Sequence, residues 1–298
     1  MRLKVLIQLE RWHELIINNI KNGFQMNNTQ LRILSAIVLV AIVVAALYMG
    51  ITQTLIFLMI AGVICVDELY CNFVKKPRFS IGYFITQTAF VVPFSYMNLI
   101  DKSYDLNFVC VNAGVALNII LLGYLFVTKI DSQFFKAGLE KYSPVIALFV
   151  LLPFCSLASL LFYGKWIQLI VVILFVNFGM DTGAWFFGKN FGKNKLWPTV
   201  SPNKTIEGLL GGALTAGVLG TLAWNYFVSF NGFTYVILFI VLGILSQVGD
   251  LIQSKLKRQF EIKDSSSLIP GHGGVYDRID SLVFVAPFYA TFINFLNL

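Results

Sequence analysis

Charged residues are scarce in this 298-residue chain: Asp, Glu, Lys and Arg make up 12%, against 57% hydrophobic residues. A typical soluble domain carries about 25% charged residues, so the composition excludes that class. Only two histidines are present, and the four cysteines have no spacing typical of a metal site or a redox pair. The sequence therefore predicts neither a zinc domain nor a structural disulfide.

Long runs without any charged residue indicate a membrane protein. A bilayer crossing takes about 20 helical residues, so the two longest runs must each hold a hairpin of two helices. Gly50 and residues 229–232 are the predicted turns. We therefore predict an all-α, polytopic membrane helix bundle with about nine transmembrane helices. The runs are Ile33–Val66, Phe79–Ile100, Leu106–Thr128, Tyr142–Gly164, Trp166–Met180, Gly208–Gly249 and Ser281–Leu298.

The cations fall almost entirely on one side of this predicted bundle. With nine helices, the N-terminus and the loops after the even-numbered helices share a side that carries 20 of the 22 Lys and Arg residues. Only Lys102 and Lys165 fall on the other side. Under the positive-inside rule the cation-rich side is cytoplasmic. The sequence therefore predicts a multi-pass protein of the bacterial inner membrane whose two termini lie on opposite sides.

Residues 1–30 precede the first apolar run, and charged residues at positions 10, 11 and 14 exclude a secretory signal there. We expect an N-terminal cytoplasmic, amphipathic segment at the membrane surface, with a partly ordered tail as the alternative. The apolar residues that recur at helical spacing are Val5, Leu9, Trp12, Ile16 and Ile20.

Ionisable residues concentrate in one stretch, Ser254–Asp280, with Asp250 just upstream. Asp277 and Asp280 are three residues apart, which puts both carboxylates on one face of a helix. The segment His272–Gly274 is His-Gly-Gly, whose flexible backbone could bring N–H groups close to an anion. Carboxylates suit a hard metal ion, and the nearby Lys and Arg suit phosphate. The stretch thus predicts phosphoryl or nucleotidyl transfer at a membrane surface.

The same stretch resembles the signature of the CDP-diacylglycerol synthases (phosphatidate cytidylyltransferases). That signature reads Ser, any residue, apolar, Lys-Arg, four free positions, Lys-Asp, a turn of small residues, His-Gly-Gly, apolar, any residue, Asp-Arg, apolar, Asp. A second segment, Ser201–Thr205 followed by Glu207-Gly208, is similar to the family's Ser-Pro-x-Lys-Thr-x-Glu-Gly. The first signature is filled without a gap by Ser254, Leu256, Lys257, Arg258, Lys263, Asp264, Ser266, Pro270, His272, Gly273, Gly274, Val275, Asp277, Arg278, Ile279 and Asp280.

The resemblance implies an enzyme that joins CTP to phosphatidate, giving CDP-diacylglycerol and pyrophosphate in phospholipid biosynthesis. Residues 31–298 would then form a single transmembrane catalytic domain, with its motifs in about 166–298. The expected cofactor is Mg²⁺, alone or with a second cation, bound by Asp250, Asp277 and Asp280. These three aspartates and Lys204 are the predicted catalytic residues. The predicted substrate-binding residues are Ser201, Thr205, Lys257, Arg258, Lys263, His272 and Arg278.

Other functions fit parts of the pattern. A CTP-dependent lipid-alcohol kinase, or a cytidylyltransferase for another membrane lipid phosphate, is the nearest alternative. A CDP-alcohol phosphotransferase would carry Asp-Gly-x-x-Ala-Arg, which is absent. A proton-coupled transporter would place its acids near the membrane midplane, whereas Asp181 and Asp250 each end an apolar run.

Several polar residues have a structural interpretation beside the functional one. Asp181 could serve the reaction, since an acid within a crossing usually has a function, or it could hydrogen-bond to neighbouring helices. Asp67-Glu68 closes the second predicted helix, where we expect a solvated helix end. Lys255, Lys257 and Arg258 could simply anchor the chain at the lipid headgroups.

Small residues recur every four positions in the seventh predicted helix, at Gly208, Gly212, Ala216 and Gly220. This spacing predicts a face for close packing between helices. Such a face also permits a homodimer without requiring one. The expected partners are CTP, phosphatidate and the lipid bilayer, and no nucleic acid.

Overall fold

The charge-free runs form helices, because a chain within lipid must satisfy its backbone hydrogen bonds internally. The computed structural model describes residues 28–101, 104–130, 132 and 134–296. The amphipathic segment predicted for residues 1–30 lies outside them, except for the last three residues. The helices are α1 (Asn28–Met49), α2 (Ile51–Glu68), α3 (Ile81–Ser95), α4 (Tyr104–Val127), α5 (Phe134–Lys141), α6 (Ile146–Ser159), α7 (Trp166–Phe191), α8 (Ile206–Phe227), α9 (Val236–Gln259) and α10 (Tyr276–Leu296).

The all-α polytopic bundle is confirmed. Within the described ranges, eight helices are long and apolar enough to cross a membrane, namely α1, α2, α4 and α6 to α10. The remaining predicted span corresponds to α3, whose 15 residues continue through a π-helical turn at Tyr96–Ile100. Both predicted hairpin turns are present. Gly50, with a φ of 111°, separates α1 from α2, and residues 228–235 separate α8 from α9.

Helix α6 lies at the centre of one half of the bundle, with α2, α3, α4 and α10 packed around it. Helices α7, α8 and α9 form the other half, and α10 contacts both halves. The polar stretch between α9 and α10 therefore ends where the two halves meet. This arrangement brings residues from the first third of the chain next to motifs from the last third.

The predicted small-residue face of α8 packs directly against α7. A Cβ atom added to Gly212 would lie 2.7 Å from the backbone oxygen of Met180, and one added to Gly208 would lie 2.8 Å from that of Ala184. Contacts shorter than 3 Å leave no room for a side chain, so the close-packing prediction is confirmed. The two helix backbones therefore fix the position of Asp181, which lies on α7 next to Met180.

A short β-hairpin, which the sequence analysis did not predict, joins α7 to α8. Its strands are β1 (Lys195–Trp197) and β2 (Ser201–Thr205), which pair in antiparallel fashion. The Oγ1 atom of Thr205 accepts a hydrogen bond from the backbone N–H of Gly208 at 3.1 Å and so caps α8. The hairpin places Lys204 within reach of α9.

Candidate active site

Two ion-paired lysines lie among aspartates that come from different helices. Lys204 Nζ on β2 lies 2.6 Å from Asp250 Oδ2 on α9. Lys257 Nζ, also on α9, lies 2.9 Å from Asp277 Oδ1 and 3.7 Å from Asp280 Oδ2, both on α10. The structure therefore brings together the five residues Lys204, Asp250, Lys257, Asp277 and Asp280, which we call the charged cluster.

Asp181 on α7 faces the charged cluster, where it interacts electrostatically with Asp250, Lys204 and Arg278. Asp250 in turn interacts with Asp280. Counting Asp181, four carboxylates meet two mostly buried lysines. The arrangement has an excess of negative charge and favours a further cation or the approach of the exposed Arg278.

A hydrogen-bonded polar group ties together the three helices that carry these carboxylates. Asn177 on α7 donates to Ser281 Oγ on α10 at 3.1 Å and accepts from Ser246 Oγ on α9 at 2.8 Å. Asn177 and Ser246 each lie four residues, or about one helical turn, before an aspartate of the site, Asp181 and Asp250 respectively. All three polar side chains are buried. The contacts therefore hold the helices in register directly beneath the carboxylates.

The carboxylate of Asp277 is already fully engaged by its own loop. Its Oδ2 atom accepts hydrogen bonds from the backbone N–H of Ser265 at 2.7 Å and from the N–H of Gly274 at 2.9 Å. It also lies 2.9 Å from Ser265 Oγ, whose single proton is shared with Glu68 Oε2 at 2.8 Å. Gly273 has a φ of 82°, and a Cβ atom added there would lie 2.8 Å from Asp277 Oδ2. The anion approached by this His-Gly-Gly backbone is thus the protein's own carboxylate.

Glu68 at the end of α2 is buried, and the prediction of a solvated helix end there was wrong. Its side chain is 2% exposed and accepts four hydrogen bonds from the loop before α10, two from hydroxyl groups and two from backbone N–H groups. Its neighbour Asp67 instead pairs with Arg78 at 2.6 Å and accepts from Tyr83. No local pattern could reveal Glu68, because its partners lie about 200 residues away along the chain.

The interpretation of Lys255 as a headgroup anchor was also wrong. Its side chain is 1% exposed and donates to the backbone oxygens of Tyr124 at 3.1 Å and Leu125 at 2.8 Å, and to that of Thr128. A lysine near the C-terminal end of a helix can donate to the last carbonyl oxygens and interacts favourably with the helix dipole. Lys255 therefore joins α9 to the C-terminal end of α4.

His272 contacts α1 rather than the charged cluster. Its Nδ1 atom lies 2.6 Å from Ser35 Oγ, and Arg32 Nε donates to the backbone oxygen of Gly271 at 2.9 Å. Burial, together with the positive charges of Arg278 and Arg32, lowers the pKa of His272. These contacts hold α1 against the loop that carries the charged cluster.

The other predicted site residues differ in exposure. Arg258, Lys263 and Arg278 are exposed cations, and Ser201 is half-buried in β2. Thr205 is buried and caps α8.

A magnesium site was the sequence prediction for Asp250, Asp277 and Asp280. Across the part of the chain that the structure describes, no group of three or more His, Cys, Asp and Glu side chains is arranged to hold a metal ion. Lys204 and Lys257 instead pair with all three carboxylates. Asp250 and Asp280 still suit Mg²⁺ as oxygen donors, since neither is surrounded by loop amides as Asp277 is.

The sequence model of the cytidylyltransferase family matches residues 30–296. A phosphatidate cytidylyltransferase from Staphylococcus haemolyticus is 32% identical over 264 residues, which cover 87% of this chain and 96% of the relative. The protein of the same name from Staphylococcus epidermidis has the same identity and coverage. The one from Staphylococcus aureus strain COL is 38% identical over 178 residues, or 58% of this chain and 65% of the relative.

Proposed function

This chain belongs to the cytidylyltransferase family, and we infer that it is a phosphatidate cytidylyltransferase, which transfers the cytidylyl group of CTP to phosphatidate. The observation that carries this inference is the match to relatives of that name along nearly their whole length. The charged cluster supports it, since mostly buried lysines beside carboxylates suit a reaction between phosphates. The alternative of a lipid-alcohol kinase is not favoured by these relatives.

The reaction joins two anions, so its main barrier is electrostatic. An oxygen of the lipid phosphate attacks the α-phosphorus of CTP, and the bond from that phosphorus to the bridging oxygen breaks. Pyrophosphate leaves with the electron pair of that bond. The nucleophile is already ionised near neutral pH, so no strong base is required. The protein's task is therefore to hold and neutralise phosphate oxygens.

Lys204 and Lys257 are the residues best placed to hold phosphates. Both are mostly buried, with side chains 18% and 13% exposed, and a buried ammonium group interacts strongly with an anion. Before substrate binds, the paired aspartates compensate these charges and keep the lysines in position. The exposed Arg258, Lys263 and Arg278 then supply further positive charge at the entrance.

We propose Mg²⁺ as the cofactor, with Asp250 and Asp280 as its principal ligands and Asp277 beside them. The bound ion would neutralise phosphate charge and polarise the α-phosphorus. The charge excess of the four carboxylates supports this proposal and allows a second cation. Asp277 contributes mainly by fixing the loop and Lys257, because its own oxygens accept four hydrogen bonds.

The function is tested with purified protein in detergent micelles containing phosphatidate. Label in the α-phosphate of CTP is expected to become chloroform-soluble when Mg²⁺ is present, and chelation should abolish the conversion. Replacing phosphatidate by a free polyprenol should give no labelled lipid. Transfer of label from the γ-phosphate of CTP to polyprenol, with no transfer of α-phosphate label to phosphatidate, would identify a lipid kinase and overturn the proposal.

We also propose that the charged cluster faces the cytoplasm at the bacterial inner membrane. The nine spans predicted from the sequence and the one-sided distribution of cations support this orientation. A reporter fused after Leu298 is expected to read as external, whereas one inserted at the exposed Lys263 should read as cytoplasmic. A cytoplasmic signal from the fusion after Leu298 would mean that the number of spans is even.

A homodimer remains a prediction. The small-residue face of α8 that suggested it is used within the chain, against α7. Any dimer must therefore form through another surface of the bundle.

A further inference from the structure

We propose that Glu68 is a positioning residue for the transfer reaction, holding the loop between α9 and α10 so that Asp277 and Lys257 meet correctly. Its Oε1 atom accepts from Ser266 Oγ at 2.7 Å and from the N–H of Val275 at 2.9 Å. Its Oε2 atom accepts from Ser265 Oγ at 2.8 Å and from the N–H of Tyr276 at 2.9 Å. One carboxylate thus joins the middle of the loop to its C-terminal end.

The position of these bonds connects Glu68 to the start of α10. The N–H groups of Val275 and Tyr276 lie at the N-terminal end of that helix, where they have no partner within it. Asp277 is the next residue, so the position of its carboxylate depends on how this end is held. In most helices a capping residue next to the N-terminal end supplies the acceptor for these N–H groups. Here Glu68 on α2 supplies it.

This arrangement explains why the second glycine of the His-Gly-Gly segment cannot carry a side chain. A Cβ atom added to Gly274 would lie 2.0 Å from Ser265 Oγ and 2.5 Å from Glu68 Oε2. No side chain fits between the loop and the glutamate. Asn72, one helical turn after Glu68, also donates to the backbone oxygen of Ser265 at 2.6 Å. The end of α2 and its π-helical extension therefore hold the loop in place by hydrogen bonds and close packing.

A continuous chain of contacts leads from Glu68 to the charged cluster. Ser265 Oγ lies within hydrogen-bonding distance of both Glu68 Oε2 and Asp277 Oδ2. The other oxygen of Asp277 binds Lys257, which also faces Asp280. A displacement of the loop at Glu68 therefore moves a lysine that we propose binds phosphate.

The test compares Glu68→Gln with Asp67→Asn, a matched control on the same helix end whose partners are Arg78 and Tyr83. The glutamine retains the size of the side chain but replaces one acceptor oxygen by an NH₂ group, which cannot accept from a backbone N–H. We expect kcat/KM for CTP to fall about 10- to 100-fold, with a raised KM, as is usual when a supporting hydrogen bond is lost. Glu68→Asp should recover part of this loss, and Asp67→Asn should remain near wild type.

Hydrogen–deuterium exchange separates positioning from general unfolding. In Glu68→Gln, amides in residues 265–276 should exchange faster while those of α7 and α8 remain protected. A loss of folded protein alone would lower the amount of active enzyme without raising KM. Unchanged kinetics, or faster exchange throughout the bundle, would overturn the proposal.

Ser266→Ala provides a milder variant in case Glu68→Gln does not fold. It removes one of the four hydrogen bonds and should speed exchange in the same loop. Wild-type exchange and kinetics in Ser266→Ala would contradict the proposal in that case. The kinetic readout rests on the proposed function, but the exchange readout does not, so an inactive wild-type protein would overturn only the proposed function.

Discussion

Purified Asp250→Asn protein is expected to lose about 10³-fold or more in turnover of CTP while remaining folded, which corresponds to about 4 kcal/mol of transition-state stabilisation. Asparagine keeps the size of the side chain but removes the charge that compensates Lys204 at 2.6 Å and that we propose binds Mg²⁺. Activity is measured with labelled CTP, and folding by circular dichroism and size-exclusion chromatography. Asp105→Asn, an exposed acid in the first turn of α4, serves as the control and should be fully active.

Combining Asp250→Asn with Asp280→Asn sharpens this prediction. If both carboxylates serve one centre, the double variant should be no less active than the less active of the two single variants. A centre that has lost one essential ligand loses little more activity when a second ligand is removed. Multiplied defects would show that the two aspartates act independently. Wild-type turnover with unchanged Mg²⁺ dependence in Asp250→Asn would refute its role as a ligand.

Lys204→Met is expected to lower turnover about 100-fold, or roughly 3 kcal/mol, which is typical for removing one preorganised charge from an active site. Methionine retains most of the apolar stem, so insertion into the membrane and the β-hairpin should be preserved. Lys195→Met, an exposed lysine on β1 of the same hairpin, is the matched control and should retain normal turnover. Initial rates are compared at saturating CTP and phosphatidate.

Two results would contradict this role of Lys204. Near-normal turnover in Lys204→Met would mean that Lys204 is only one of the cations that set the membrane orientation. Equal losses in Lys204→Met and Lys195→Met would indicate that the hairpin needs positive charge generally, rather than an ammonium group at Asp250.

The spans were predictable because they depend on local composition. A charge-free run of sufficient length determines a membrane helix by itself, and Gly50 interrupts the longest N-terminal run at its midpoint. The pairing of Lys204 with Asp250 was not predictable from spacing, since the whole of α8 separates β2 from α9 along the chain and the two meet only in the folded bundle. The residues of the charged cluster could be predicted from the family resemblance of the sequence. Which of them pair with one another could be seen only in the folded structure.

Buried polar residues were the main errors, and they share one cause. Glu68 and Lys255 stand at the ends of apolar helices, where a charged side chain normally contacts water or headgroups. Their partners come from sequence-distant segments, the loop before α10 for Glu68 and the end of α4 for Lys255. Asp277 shows a related effect: as the acceptor that organises its loop, it should disturb that loop when changed to Asn.

The long separation between Glu68 and its partners has a consequence for synthesis of the chain. Glu68 leaves the ribosome 208 residues before Tyr276, a delay of roughly 10 to 40 s at the usual rates of translation. During that interval α2 carries an acid whose four donors do not yet exist. Any product truncated before Ser265 lacks all four of these donors. The support that Glu68 gives to the loop is thus complete only once the first residue of α10 has been made.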